Sequence, residues 1–193
     1  MSEVTSILLA GVGGQGTILI SRILTAGLIE AGYDVKMSEV HGMAQRGGSV
    51  STQVRYGKKV HSPIIGRGGA DALVAFEKME AARYASFLKP SATVIVNDYE
   101  LPPMPVASGK AVYPDNILAS VQGAFKTYAL KATDIAVSLG NAKCMNVVLL
   151  GAMVKRLSLP DVDWEALIKA ELPPKLHELN LRAFRAGLEE EGI

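Results

Sequence analysis

The sequence predicts an α/β fold: a Rossmann-like, doubly wound and mostly parallel sheet with a helical C-terminal part. Residues 6–12 form an apolar run too short for a buried helix, and it leads directly into glycines and then into apolar residues at helical spacing. Two further apolar runs, 71–76 and 92–97, have the length of buried strands. From residue 116 onward the pattern is mostly helical. Strands flanked by helices in this way are typical of a parallel sheet.

Composition sets limits on the class of protein. A chain of 193 residues suits one domain, spanning 1–193, with its own core. The net charge of +1 gives no argument for a nucleic-acid partner or an anionic membrane surface. Hydrophobic residues make up 49% of the chain and charged residues only 20%, so we expect part of the surface to be buried against another chain.

Cysteine content and the N-terminus narrow the chemistry and the location. Cys144 is the only cysteine, which rules out a disulfide within the chain, a Cys-ligated iron–sulfur cluster and a Cys-rich zinc site. The N-terminus has no basic region before its apolar stretch, so we expect no signal peptide. No apolar run approaches the length of a membrane span, and the predicted location is the cytoplasm.

The first strand–helix turn has the pattern G-x-G-x-x-G, formed by Gly11, Gly13 and Gly16. In this pattern the first glycine allows the turn, the second lets backbone approach a ligand, and the third lets the helix lie against the strand. The helix expected at 17–31 directs unpaired N–H groups at the turn, which predicts a phosphate or carboxylate seat. The candidate residues are Gly11, Gly13, Gly14, Gln15, Gly16 and Thr17. The alternative is that the glycines only make a close turn.

A second glycine-rich segment follows the strand predicted at 33–40. That strand completes a βαβ unit, so we expect it to lie parallel and adjacent to the first strand, with the two glycine segments side by side. The candidate residues here are His41, Gly42, Arg46, Gly47 and Gly48. The histidine titrates near neutral pH, the arginine offers a rigid donor fork, and the two final glycines let backbone N–H groups face an anion. The alternative is an ordinary solvent loop.

Hydrophobic periodicity and turn residues also predict the elements between residues 49 and 88. Residues 49–56 alternate as a strand, and 59–62 could pair back on it as a hairpin after a turn at 57–58. Glu77 follows the strand 71–76 and opens a helix at 78–88, where it can cap the helix or face the ligand site.

The second half of the chain is expected to be mainly helical. Pro90 precedes the strand 92–97, residues 101–105 read as an extended surface loop, and 111–113 as a short strand. Gly151 should allow close helix approach within an all-apolar helix. The helices predicted after the sheet are 117–129, 133–140, 141–155, one opening at 163, and 175–188.

Several motifs together resemble a known family. They are Gly11-x-Gly13-Gly14-Gln15-Gly16, Glu39-x-His41-Gly42-x-x-x-Arg46-Gly47-Gly48, Asp71 to Glu77, Asn97, Gly140-Asn141, and Asn146 with Gly151. With these motifs the chain resembles the gamma-type subunit or domain of the 2-oxoacid:ferredoxin oxidoreductases. Within that family it is most similar to the beta subunits of indolepyruvate:ferredoxin oxidoreductases. The resemblance extends over about 7–188.

The resemblance implies a subunit of an enzyme complex. Such complexes decarboxylate a 2-oxoacid on thiamine diphosphate with Mg, pass electrons through iron–sulfur clusters to ferredoxin, and transfer the acyl group to coenzyme A (CoA). One cysteine cannot hold a cubane cluster, and the sequence has no Gly-Asp-Gly thiamine motif. We therefore expect a larger alpha subunit to carry these groups, and this chain to have no catalytic residue or metal ligand and no activity alone. The family associates this type of subunit with closing the active site and with CoA access.

Two other functions remain open from the sequence. One is a free-standing NAD(P)-dependent Rossmann oxidoreductase, in which Glu39 would be the ribose-binding acid. Glu39 comes slightly late for that role, and no Tyr-x-x-x-Lys pair is present. The other is a regulatory nucleotide-binding module without catalysis.

Overall fold

The structure, a computed structural model, describes residues 4–41 and 47–192, with the backbone alone at His41. Within these residues the strands are β1 (Thr5–Val12), β2 (Asp34–His41), β3 (Ser49–Gly57), β4 (Ala70–Ala75), β5 (Leu88–Asn97) and β6 (Lys126–Leu130). They form one sheet in the order β2-β3-β1-β4-β5-β6. The pairs β1–β4, β4–β5 and β5–β6 are parallel, whereas β3 is antiparallel to both of its neighbours.

Helices cover both faces of the sheet, which confirms the doubly wound α/β prediction. They are α1 (Thr17–Glu30), α2 (Lys78–Tyr84), α3 (Met104–Ala107), α4 (Ile117–Ala124), α5 (Ala132–Ser138), α6 (Met145–Arg156), α7 (Trp164–Glu171) and α8 (His177–Glu189). The core on one face holds residues of α1 and α5 to α8, and the core on the other holds residues of α2 and α4. Along β1, Ile7 and Leu9 belong to the first core and Leu8 and Ala10 to the second, as the two-residue period of a strand requires. No helix in this part of the chain is long and apolar enough to cross a membrane.

The expected adjacency of β1 and β2 is wrong, because β3 lies between them. The link from β2 to β3 runs only from residue 42 to 48. A parallel crossover needs a dozen or more residues, so a connection this short makes β3 return antiparallel to β2. β3 then also pairs antiparallel with β1, from Thr5↔Tyr56 to Val12↔Ser49. β2 therefore runs in the same direction as β1 but one strand farther away.

Two short strands predicted from the sequence are also wrong, and a predicted extended loop is shorter than expected. Residues 59–62 contain no strand; instead the Val60 N–H donates to Asp34 Oδ2 over 2.8 Å, so a side chain rather than a ladder ties this segment to β2. Residues 111–113 contain no strand either. The loop expected at 101–105 includes the start of α3, whose first turn begins after Pro103.

The helix predicted at 117–129 divides into α4 and β6. Phe125 ends the helix in an extended conformation, and the five residues of β6 then pair parallel with β5. A strand this short shows no clear period, and only the exposed edge of β5 makes it favourable. β5 itself begins at Leu88 and contains Pro90. In this part of β5 the pairing with β4 is irregular, because the register shifts between Ala70 and Ala72 of β4. Proline is tolerated at such an irregularity because a ladder bond is already missing there.

The close approach expected at Gly151 is confirmed. A Cβ on Gly151 would lie 2.1 Å from the Phe184 carbonyl oxygen of α8, and one on Gly187 would lie 2.0 Å from the Val148 carbonyl oxygen of α6. The two helices therefore pack backbone to backbone through a glycine on each. The partner glycine, Gly187, was missed because only the fold brings it opposite Gly151.

Candidate functional site

The glycine turn between β1 and α1 leaves a helix N-terminus open. Gly14 and Gly16 have φ values of 106° and 83°, a left-handed conformation that glycine adopts without cost. Gly16 is the residue before α1, and no side chain caps that helix. The first N–H groups of α1 thus lack the side-chain acceptor that usually satisfies one of them, and the positive end of the helix dipole faces the turn.

The roles expected for the first and third glycines differ from those observed. Gly11 does not make the turn: it lies within β1, where a Cβ would be 3.0 Å from Phe76 Cβ and 3.1 Å from Thr17 Cγ2. Gly11 is therefore the glycine that lets the helix start lie close to the strand. At Gly16 a Cβ would be 2.2 Å from the Asn146 Nδ2 atom, so this glycine makes room for the start of α6.

The side chain of Gln15 holds the turn against the neighbouring strand. Its Oε1 accepts a hydrogen bond from the Val12 N–H at 2.7 Å, and its Nε2 donates to the Phe76 carbonyl at 3.2 Å. Both ends of the amide are thus occupied within the chain. A direct contact of Gln15 with a ligand, as expected from the sequence, remains a prediction.

The two glycine segments lie side by side, as predicted for their described parts. The Gly13 N–H donates to the Gly48 carbonyl at 2.8 Å, and the Gly47 N–H donates to the Gly13 carbonyl at 3.3 Å. The reason differs from the expected one: Gly47 and Gly48 lead into β3, which is the strand that pairs with β1. The His41 side chain, Gly42 and Arg46 lie outside the described residues. Their proposed contacts with a ligand stay predictions.

Glu77 caps α2, which confirms one of the two roles expected for it. Its side chain is 1% exposed, and Oε2 accepts from the Glu80 N–H at 3.1 Å. Oε1 accepts from the Leu101 N–H at 3.2 Å and from the Tyr113 hydroxyl. Burial, together with the Glu77 carboxylate, raises the pKa of Tyr113, which keeps the phenol protonated as a donor. Whether Glu77 also contacts a ligand stays a prediction.

Two clefts flank the glycine turn. The β3 cleft, of about 240 Å³, lies between the turn, the first residues of α1, and β2 with β3, and includes Thr17 and Thr52. Glu39 is the one charged side chain among its described lining residues. The α6 cleft, of about 600 Å³, lies between the turn, the start of α6, and the segments after β5 and β6. Its one charged side chain within the described part is Lys143.

The α6 cleft contains residues that sequence reasoning did not assign to the site. Asn146 Nδ2 donates to the Gly16 carbonyl at 3.4 Å, although the two residues are 130 positions apart. Asn146 is one of the motif residues that resemble the family, but the motif gives it no role, and Lys143 belongs to no motif. Only the packing of α6 beside α1 brings them to the turn, so no local pattern could have found them.

The fold and the turn define a class of protein first. The chain is an open α/β domain with an uncapped helix N-terminus behind a glycine turn, at the edge of the sheet where ligands of such domains usually bind. The family model described as "Pyruvate ferredoxin/flavodoxin oxidoreductase" matches residues 6–190. The chain belongs to this family, and the match confirms the resemblance inferred from its motifs.

The relatives agree with one another on the kind of complex. The chain is 38% identical to the indolepyruvate oxidoreductase subunit IorB of Thermococcus kodakarensis over 189 residues. The aligned region covers 95% of this chain and 94% of the relative. The gamma subunit of a keto/oxoacid ferredoxin oxidoreductase from Geobacter sulfurreducens has the same fold, with a TM-score of 0.71 and 26% identity over 96% of both chains. The chain is therefore a small subunit of a 2-oxoacid:ferredoxin oxidoreductase, an oxidoreductase complex.

A third comparison concerns the fold alone. The 2-oxoglutarate:ferredoxin oxidoreductase of Magnetococcus marinus, solved with 2-oxoglutarate, coenzyme A and succinyl-CoA bound, matches with a TM-score of 0.75 at 18% identity. The match covers 97% of this chain but 31% of that one. In that enzyme the same fold is therefore part of a longer polypeptide.

Proposed function

We propose that this chain is the beta subunit of an indolepyruvate:ferredoxin oxidoreductase. The complex would oxidatively decarboxylate the 2-oxoacid to an acyl-CoA and pass the electrons to ferredoxin. The observation that carries the proposal is the 38% identity with the indolepyruvate subunit over nearly the full length of both chains. The choice of indolepyruvate over another 2-oxoacid rests on the names of such relatives.

The partner in this proposal is a larger alpha subunit that carries thiamine diphosphate, Mg and the iron–sulfur clusters. This chain does not fit those groups: its single cysteine, Cys144, is 3% exposed, and a cubane cluster needs several thiolates. Within the described residues no group of three or more His, Cys, Asp or Glu side chains could hold a metal ion. The 49% hydrophobic composition suits a cytoplasmic chain that works in a hetero-oligomer.

The part of the reaction assigned to this chain is to help close the active site and to bind CoA. The uncapped start of α1 offers N–H donors to a phosphate or a carboxylate, whereas the N–H groups of Gly13 and Gly47 already donate within the chain. The Magnetococcus marinus enzyme, which shares this fold, holds CoA in its structure. Charge distinguishes the two clefts, since Glu39 in the β3 cleft repels a phosphate and Lys143 in the α6 cleft attracts one. Arg46, proposed from the sequence as a phosphate ligand, lies outside the described residues.

The subunit assignment is tested by reconstitution. The purified chain is assayed with indolepyruvate, CoA and a viologen dye, alone and after mixing with the larger subunit. We expect no turnover from the chain alone and turnover from the mixture. Turnover without the partner would overturn the assignment. The same preparation is titrated with NADH, because tight binding would favour the free-standing NAD(P) enzyme. That alternative is disfavoured by the strand order: the dinucleotide fold places the strand of the ribose-binding acid directly beside the first strand, whereas here β3 lies between β2 and β1. Glu39 nevertheless lines the β3 cleft with the glycine turn, so the NADH titration is needed.

The CoA role is tested by removing one cation at a time from the reconstituted complex. Arg46→Ala should weaken CoA binding by about 1.5–3 kcal/mol, the scale of a hydrogen bond to a charged group. Arg46→Lys should recover only part of the loss, because an ammonium cannot bond in a bidentate way. Lys143→Ala tests the α6 cleft in the same way. The matched control is Arg67→Ala, an exposed arginine in another glycine loop.

The readouts are the apparent Michaelis constant for CoA and the melting temperature. An effect of Arg46→Ala alone assigns the phosphate to the second glycine segment, and an effect of Lys143→Ala alone assigns it to the α6 cleft. If neither substitution raises the constant above that of the control, the proposed CoA site is wrong. A lowered melting point with an unchanged constant would mean that Arg46 only holds the loop.

A further inference from the structure

Thr133 lines the α6 cleft near the start of α5. Its hydroxyl oxygen accepts a hydrogen bond from Asn97 Nδ2 at 2.9 Å, and its backbone N–H donates to Asn97 Oδ1 at 3.3 Å. Asn97 is the last residue of β5, and its side chain is fully buried. A buried amide therefore holds a residue of the cleft by two hydrogen bonds.

The orientation of the Asn97 amide group follows from its partners. The Phe76 carbonyl can only accept and the Thr133 N–H can only donate, so the amide nitrogen faces the first and the amide oxygen faces the second. One Nδ2 proton goes to the Phe76 carbonyl at 3.1 Å, and the other goes to the Thr133 hydroxyl oxygen. The Thr133 hydroxyl is thus an acceptor towards Asn97, and its own proton must point elsewhere.

The proton of the Thr133 hydroxyl has no acceptor among the described residues, because the hydrogen bonds of this residue's side chain end at Asn97. Thr127 in β6 shows the usual alternative. Its hydroxyl donates to the Phe125 carbonyl at 3.0 Å, so its proton is used within the chain. A donor that the fold leaves unused at the wall of a cleft is available to a ligand.

Asn146 offers a second unused proton to the same cleft. It is 5% exposed, its Oδ1 accepts from the Val147 N–H at 2.8 Å, and its Nδ2 gives one proton to the Gly16 carbonyl. In the part of the chain that the structure describes, the other Nδ2 proton has no acceptor. Lys143 and the uncapped start of α1 add positive charge, and the described lining contains no aspartate or glutamate. These groups together favour an anionic oxygen.

We propose that Thr133 binds a ligand in the α6 cleft by donating its hydroxyl proton to an anionic oxygen, that of a phosphate or a carboxylate. Asn97 makes this hydroxyl a donor before the ligand arrives, so the group does not have to be reoriented on binding. The proposal rests on the proposed function only for the name of the ligand, since CoA would bring a phosphate and the 2-oxoacid a carboxylate.

The first test uses the full chain alone, with inorganic pyrophosphate as the probe and the amide signals of Thr17 and Ile18 as the readout. Thr133→Val removes the hydroxyl but keeps the shape. Pyrophosphate binding should weaken at least about tenfold, the change expected for a lost hydrogen bond to a charged group. Thr133→Ser keeps the hydroxyl and should bind like the original chain. The matched control, Thr127→Val, removes a hydroxyl whose proton is already used and should leave binding unchanged.

The reconstituted complex then identifies the source of the anion. In Thr133→Val, a raised apparent Michaelis constant for CoA with kcat retained assigns the hydroxyl to a phosphate, and a raised constant for indolepyruvate assigns it to a carboxylate. If pyrophosphate binding weakens while both constants stay unchanged, the anion site is supported and the proposed function of this cleft in the complex is wrong.

Three results would overturn the role of Thr133. One is that the original chain does not bind pyrophosphate. Another is that Thr133→Val binds it as tightly as the original chain, even if the melting temperature falls, because the residue would then only support the fold. The last is that Thr133→Ser weakens binding as much as Thr133→Val, because the hydroxyl would then not be the group that matters.

Discussion

The ends of β1 and β4 differ in what their polar groups do, although the two strands are parallel neighbours. They pair from Ile7↔Ala72 to Ala10↔Ala75 and end at the same edge of the sheet. After β4, the Glu77 carboxylate is occupied by three donors of the chain. After β1 come glycines and a helix that no side chain caps.

Asn97 extends the pattern of the β4 end to the next strand. Its side chain is fully buried, and its Nδ2 donates to the Phe76 carbonyl at 3.1 Å and to Thr133 Oγ1 at 2.9 Å. Its Oδ1 accepts from the Thr133 N–H at 3.3 Å. A polar residue at a strand end is thus not a ligand contact by position alone. The difference lies in whether its hydrogen-bonding capacity is already used within the fold.

The largest expected effect concerns the end of β4, where the polar groups are already hydrogen-bonded within the chain. Glu77→Ala removes the cap of α2 and leaves the Leu101 N–H and the Tyr113 hydroxyl without their acceptor. We expect the free energy of unfolding to fall by about 2–4 kcal/mol, from a lost cap and unsatisfied donors together. Chemical denaturation of the full chain measures it.

The control for Glu77→Ala is Glu100→Ala, which removes an exposed carboxylate paired with Lys78 nearby. A surface ion pair of this kind contributes about 0–1 kcal/mol. Equal losses in the two variants would mean that the network around Glu77 does not stabilise the strand ends, and the comparison would fail.

How much of the fold can be predicted depends on how far apart along the sequence the residues that determine each element lie. The glycine turn, α1 and the buried strands of β4 and β5 were predictable because period and turn chemistry lie within a few residues. The order of strands was not, since β3 takes its place beside β1 through the length of a connection. β6 was missed because five residues become a strand only when the edge of β5 is available.

The candidate site divides in the same way. The glycine turn and the Gly47–Gly48 segment were predicted to meet, and their mutual hydrogen bonds agree. The cap role of Glu77 was also predictable from its place before a helix. Lys143 and Asn146 were not, because they reach the turn only through the packing of α6 beside α1. Occupied hydrogen-bonding groups, such as the Gln15 amide, cannot be read from a motif.

The second-largest expected effect concerns Gln15, which links the two strand ends. It belongs to the glycine turn after β1, but its side chain donates to the Phe76 carbonyl after β4. Gln15→Ala removes two hydrogen bonds and should lower stability by about 1–2 kcal/mol. Gln15→Glu keeps the acceptor for the Val12 N–H but turns a second oxygen towards the Phe76 carbonyl. The carboxylate is repelled there, so at neutral pH this variant should be less stable than Gln15→Ala.

The pH dependence of Gln15→Glu provides the check. Repulsion by the carbonyl raises the folded-state pKa of the introduced carboxyl above its unfolded value of about 4.3. Protonation restores a donor to Phe76, so the stability missing at neutral pH should return as the pH falls through the folded-state pKa. Denaturation midpoints at several pH values measure this. A pH-independent difference from Gln15→Ala would show that the side chain does not face that carbonyl.

The smallest expected effect on stability concerns the end of β1, where the glycine turn and the uncapped start of α1 lie. Gly14 and Gly32 have left-handed φ values of 106° and 86°, and at both a Cβ would have nothing within 4 Å. Alanine at either position therefore costs only backbone strain, about 1 kcal/mol, and the two variants should melt alike.

Gly14 borders both clefts, whereas Gly32 follows the far end of α1. In the reconstituted complex, only Gly14→Ala should raise the apparent Michaelis constant for CoA, because the added methyl group stands where a ligand would meet the backbone. If both variants leave that constant unchanged, the turn is open to solvent but not to the ligand, and the contrast between the two strand ends is one of folding alone.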